Sequence, residues 1–279
     1  MTAHAYSTGG LGRAFREVVT LLTRHRQLTW EMAKREITER YTGQLFGVFW
    51  AVGHPLTLML VYAYIFGVVF QVKITGTAGL PLDYTAYLLA GLIPWLSFQE
   101  SMAKATTVIV SHANLVKQVV FPLEVLPAKG VIATVITEVL FLSLFCGYVL
   151  IRHHYIPLIY GLLPLLIVVQ AIAMMGVSYA LSAVGVYLRD TKDFVQVFLV
   201  TGVYLMPTFY LPAFVPAQLR ALLYLNPFSY MVWCFQDVLY FGRFEHPWAW
   251  PVFVGLSLGT FAGGFLAFRR LRVMFGNVL

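Results

Sequence analysis

The fold class this sequence predicts is an all-α integral membrane protein, and three observations predict it. Hydrophobic residues make up 59% of the chain and charged residues only 11%, with a mean hydropathy of +0.77. Soluble domains carry about 25% charged residues, so lipid has to solvate most of this surface. Charge-free apolar runs recur along all 279 residues, several long enough for a bilayer core that needs about 20 apolar residues. The lysines and arginines gather at the ends of those runs, so the formal charge of +7 belongs to a headgroup-facing protein rather than a nucleic-acid binder.

Taken in order, residues 1–14 lack the apolar region of a secretory signal. Residues 15–41 place Phe15, Val18, Val19 and Leu22, then Trp30, Ala33, Ile37 and Tyr41, at helical spacing among Arg24, Arg26, Lys34 and Arg35. That pattern predicts an amphipathic helix lying in the membrane interface. Between Arg40 and Lys73 no Asp, Glu, Lys or Arg occurs. Membrane spans are predicted near 46–70, 84–105, 125–150, 160–187, 194–212 and 247–268, six in all, within one domain over 1–279. An even number puts both termini on one side. Fifteen Lys and Arg fall on that side, against Lys73, Arg152, Arg220 and Arg243 on the other, so both termini are assigned to the cytoplasm.

Residues 213–246 do not read as a span. Pro216 and Pro227 interrupt the segment, which also holds Arg220, Asp237 and Arg243. Short helices re-entering the outer leaflet are expected there, where irregular backbone is tolerated only against protein or a water-filled cavity. Gly43 and Gly47, and Gly255, Gly259 and Gly263, have the four-residue spacing of close helix packing, within one chain or between two.

Chemistry-bearing motifs are sparse. No Gly-rich phosphate loop ending in Gly-Lys-Ser/Thr occurs, nor a His-Glu-x-x-His, nor a Cys-x-x-Cys. No catalytic residue and no metal ligand is assigned, and adjacent His153 and His154 diverge on a regular element. Cys146 and Cys234 read as small buried hydrophobes rather than a disulfide framework. Glu138 falls near the centre of the third span; a structural hydrogen bond to another helix fits one isolated acid better than a proton relay. Glu100 and Lys104 read as an i,i+4 pair. Tyr62, Phe66 and Phe70 form one stripe on the first span, joined by Trp95, Phe98, Tyr204 and Tyr210. Flat rings with polar edges suit a sugar polymer that slides without tight binding, while membrane belts and core packing account for part of the set.

The segment RYTGQLFGVFWAVGHPLTLMLVYAYIFGVVF resembles the start of the first transmembrane helix in ABC-2-type polysaccharide export permeases. Arg40, Tyr41, Leu45, Gly47, Trp50, Pro55, Phe66, Gly67 and Phe70 carry the likeness, although Gly47 lies two residues after Leu45 where the pattern has them adjacent. SHANLVKQVVFPLEVLP (111–127), VYLRDTKDF (186–194) and LNPFSYMV (225–232) resemble further family segments in the expected order.

The resemblance implies a homodimer of six-helix subunits that exports undecaprenyl-diphosphate-linked polysaccharide, of O-antigen or capsule type, across a bacterial inner membrane. It implies no cofactor in this chain and no catalysis by it; ATP and Mg would be bound by two separate nucleotide-binding subunits. Asn114, Leu115, Lys117 and Phe121 would form a coupling helix on that ATPase, with Arg189, Asp190 and Lys192 at the same surface. Arg35, Arg40 and Tyr41 would join the interface helix to the first span. The alternatives are an ABC-2 exporter of a drug or small lipid, an ion-coupled carrier, or a membrane scaffold or lipid-processing enzyme. The last wants clustered acids or a nucleophile dyad, and neither is present.

Overall fold

The computed structural model describes residues 20, 23–43, 45–47, 49–69, 82–118 and 121–278. Among them 82% are helical and none lies in a strand, so the chain is all-α. Phe15, Val18, Val19, Leu22 and Phe70 fall outside the described residues, as do the side chains of Tyr41 and Lys117.

Helix α1 (Arg26–Tyr41) buries Thr29 and Ala33 against the bundle and leaves Trp30 48% exposed. On the buried side of α1, Glu36 turns inward to two lysines. Gly43 and Gly47 follow at φ +81° and +49°, with nothing within 4 Å of an added Cβ. Their contribution within this chain is left-handed backbone that lets the chain turn into the next helix, not close packing of helices. Helix α2 (Phe49–Tyr62) continues as a wider π-type turn over Ala63–Val69.

Helix α3 (Tyr84–Ala105) is the centre of the bundle, with nearly every residue from Thr85 to Phe98 buried. Such all-round burial is what an apolar helix surrounded by protein shows. Two short helices, α4 (Val108–Ser111) and α5 (Ala113–Gln118), lead to α6 (Val125–His153). A 3-10 turn, Leu158–Leu162, opens α7 (Leu163–Tyr187). Leu88 and Leu92 of α3, Phe145 of α6 and Met174 of α7 meet in the main core.

Helix α8 (Thr191–Gly202) has 12 residues and ends in a 3-10 turn at Val203–Leu205. Twelve residues span about 18 Å, less than the ~30 Å hydrocarbon core, so the run expected over 194–212 is helical for only part of its length. Pro207 has no N–H to continue the helix. The carbonyls freed beyond it accept from Gln236 (2.8 Å, at Pro207) and from Tyr87 (3.0 Å at Pro207, 3.1 Å at Tyr210).

Helices α9 (Arg220–Leu225) and α10 (Pro227–Gln236) follow, then a π-type turn, Asp237–Phe241. Asp237 is fully buried; it accepts from the His246 ring at 2.8 Å and the Trp250 indole at 3.0 Å, pinning this segment to α11 (Ala249–Leu271). The chain closes with α12 (Phe275–Val278).

Among the described residues four helical stretches are long and apolar enough to cross a membrane: Phe49–Phe66, Val125–His153, Leu158–Tyr187 and Ala249–Met274. Helices α7 and α11 run in contact through Gly176 and Gly264, where an added Cβ would come within 2.4 Å and 1.9 Å of the facing backbone. The stripe of Gly255, Gly259 and Gly263 has nothing within 4 Å; that face is open and plays no part in packing within the chain.

Candidate coupling and translocation sites

The basic end of the bundle is tied together by one charge network. Glu100 Oε1 accepts from Arg40 at 2.7 Å and from Lys104 at 2.9 Å, while Glu36 pairs with Lys104 at 3.0 Å and Lys129 at 3.4 Å. Five side chains thereby join α1, α3 and α6. Burial alone would raise the Glu36 carboxyl; the ammonium groups of Lys104 and Lys129 outweigh it and hold the acid below its ordinary value. Of the junction residues expected from sequence, Arg40 belongs to this network, whereas Arg35 pairs with Glu39 on the exposed face of α1.

The network adjoins the α4–α5 segment. Lys129 Nζ lies 3.3 Å from His112 Nε2, and His112 Nδ1 lies 2.8 Å from the Val108 carbonyl. A cavity of ≈ 290 Å³ separates α1 from this segment, lined by Met32, Glu36, His112, Leu115 and Lys129 among others. Asn114 is exposed beside it. Phe121 instead turns inward, packing on a second core formed by Ile109, Leu126, Tyr179 and Phe265. Glu124 is buried and pairs with Arg272, which anchors the end of the chain to the start of α6. Arg189, Asp190 and Lys192 are exposed on the turn between α7 and α8, next to α4, because α4 packs on the end of α7.

The expected aromatic path divides in two. Tyr62 and Phe66 stack at 6.2 Å, Phe66 meets Tyr84 at 5.5 Å and Phe209 at 6.5 Å, and Phe209 stacks on Tyr204 at 5.5 Å. The Tyr210 hydroxyl donates to the Tyr204 carbonyl at 2.8 Å, and Tyr84 donates to the Phe209 carbonyl. So the α2 helix with its π-type turn, α3 and the irregular stretch after α8 assemble one aromatic surface, with Tyr204 64% exposed. Trp95 and Phe98 do not join it. They are 1% and 3% exposed and pack edge-on against Phe228, so within this chain they are core and not surface.

Glu138 is fully buried on α6 beside Gln170 of α7, yet among the described residues neither carboxyl oxygen meets hydrogen-bond geometry. Gln170 gives its amide N–H to the Pro94 carbonyl at 3.0 Å instead.

Residues 27–240 match the ABC-2 type transporter family. The chain belongs to that family. Its sequence is also similar to O-antigen export system permease protein RfbA of Klebsiella pneumoniae, 25% identical over 256 residues that cover 89% of this chain and 93% of the relative. A second protein of that description from Klebsiella pneumoniae is 22% identical over the same shares. One from Myxococcus xanthus is 27% identical over 225 residues, 80% of this chain and 84% of the relative.

As an ABC-2 type transporter subunit with several membrane-crossing helices, this is a multi-pass membrane protein. Sequence reasoning missed two contributors to its sites. Glu36 precedes Arg40 by four residues, which puts the two on one helical face and was a usable signal. Lys129 gives no local signal, since its partner Glu36 is remote in sequence.

Proposed function

We propose that this chain is the membrane-spanning permease subunit of an ABC transporter that exports lipid-linked polysaccharide from the cytoplasm to the far side of a bacterial inner membrane. The observation that carries this reading is the near full-length similarity to three O-antigen export permeases, covering 80–89% of the chain. Two copies form the pathway, and each engages a separate ATPase subunit that binds ATP and Mg; this chain transports and does not hydrolyse. In this reading α3 and α8 complete a set of six spans, the 213–246 segment re-enters from the outer side, and both termini are cytoplasmic. α1 lies in the inner interface, where Trp30 meets lipid.

The exposed Asn114, with Leu115 and Lys117, docks on the ATPase, and Arg189, Asp190 and Lys192 extend the same surface. Movement there reaches α3 and α6 through the Glu36, Arg40, Glu100, Lys104 and Lys129 network. Tyr62, Phe66, Tyr204 and Tyr210 supply an aromatic wall along which sugar rings slide.

Deleting the gene should abolish surface polysaccharide and leave lipid-linked glycan inside the cell. Replacing Asn114→Asp together with Lys117→Asp should cut export at least tenfold while membrane levels of the protein hold, because it removes a neutral amide and a cation from the docking surface and puts two anions in their place. Surface glycan that is unchanged on deletion, with a small amphiphile retained instead, would replace polysaccharide by the smaller substrate. Normal export by the double variant would remove the docking assignment.

A further inference from the structure

A cavity of ≈ 320 Å³ opens between α2, α3, α6 and α8, above the charge network. Its size lies at the small end of small-molecule sites, which run about 300–1,000 Å³. Each wall contributes polar groups: His54 from α2, Ser97 and Gln99 from α3, Thr137 from α6 and Gln196 from α8. Among the described residues no hydrogen-bond partner is found for the His54, Ser97, Gln99 or Gln196 side chains, while Thr137 gives its hydroxyl proton to the Ala133 carbonyl at 3.2 Å and keeps its lone pairs for the cavity. Polar side chains within a membrane bundle are costly and normally pair with each other. Here four converge on one space without doing so.

The chemistry of the lining selects the ligand. The charged groups on the rim, Arg40 and Glu100, are bound to one another at 2.7 Å, so the rim's own charges cancel. What faces the cavity is two carboxamides, two hydroxyls and an imidazole, over an apolar floor that includes Leu58 and Phe141. Hydrogen-bond donors and acceptors around an apolar floor match the hydroxyl edge and C–H face of a pyranose; they do not match an acyl chain. We infer that this cavity is a subsite for one uncharged sugar residue of a glycan in transit, a site on the charge-network side of the aromatic surface. The inference rests on reading the chain as a polysaccharide permease and adds the place where the polymer is first held within the bundle.

The test uses the full-length chain in cells that make the glycan, with its ATPase present. Gln99→Leu combined with Gln196→Leu keeps shape and removes two hydrogen-bonding groups from half-buried and exposed positions, so folding is spared. Export should fall about tenfold, as the loss of two net hydrogen bonds predicts, with unchanged membrane levels. A photo-crosslinking benzoyl-phenylalanine at Leu58 should yield a glycan adduct on irradiation. The same residue at Leu60, which is 61% exposed on the other face of α2, should yield none, and neither should cells blocked in glycan synthesis. Parental export by the double variant, or phospholipid adducts alone at Leu58, would overturn the subsite while deletion of the chain still abolished surface glycan. Surface glycan that survives deletion would instead overturn the permease reading on which the subsite depends.

Discussion

Glu36 shows how a single side chain sets the seating of a whole helix. Its carboxylate sits between Lys104 and Lys129, which drag it below its ordinary value despite burial. A depressed acid stabilises the fold fully above its unfolded value, near 4.5, and that stability is lost as pH falls through the folded value. Lowering the pH from 7 to below 4 should therefore loosen α1 from α3 and α6, seen as faster amide exchange over Arg26–Tyr41 once intrinsic rates are corrected. Glu36→Gln should reproduce the loosening at pH 7 and lower the melting temperature in detergent, in keeping with about 1–2 kcal/mol for a hydrogen-bonded charge at a partly exposed site. A variant as stable as the parent at both pH values would refute the clamp. The sequence displays half of this arrangement. Glu100 and Lys104 declare themselves by spacing, and Glu36 and Arg40 share a face, but Arg40 and Glu100 are 60 residues apart and only the folded bundle brings them together.

Helices in lipid are held by shape more than by apolarity, which is why glycine position matters at the element scale. On α11 the four-residue spacing in the sequence points to Gly255, Gly259 and Gly263. The contact is made one residue further along, by Gly264 against Gly176 of α7. Spacing on one helix cannot fix its rotation about the axis; the partner helix does. The same limit explains Trp95 and Phe98, which share a helix face with path-like aromatics yet lie inside, because α3 is wrapped on all sides. Gly264→Ala should then destabilise the chain by about 1–3 kcal/mol through forced separation of α7 and α11. Gly259→Ala, on the open face, should leave thermal unfolding of the purified chain unchanged. Equal effects of the two substitutions would show that the α7–α11 contact does not set the stability of this pair.

The molecule as a whole has a polarity that its charges impose. The all-α class and the four long apolar helices were legible because the solvent dictates them: a chain this apolar must bury its backbone polar groups in helices wherever it meets lipid. The shortened α8 was not legible, since Pro207 and the side-chain donors that satisfy the carbonyls around it belong to distant segments. Orientation follows from a separate force. On the six-span reading of the sequence, fifteen Lys and Arg fall on one side and four on the other, which favours retention of the richer side during insertion. In a variant with Cys146 and Cys234 replaced by Ala, single cysteines at exposed positions read this out directly. Arg243→Cys should react with a membrane-impermeant thiol reagent applied to intact spheroplasts. Asn114→Cys and Arg189→Cys should react only after the membrane is opened. Labelling of Arg189→Cys from outside would invert the topology, and with it both the docking surface and the direction of transport.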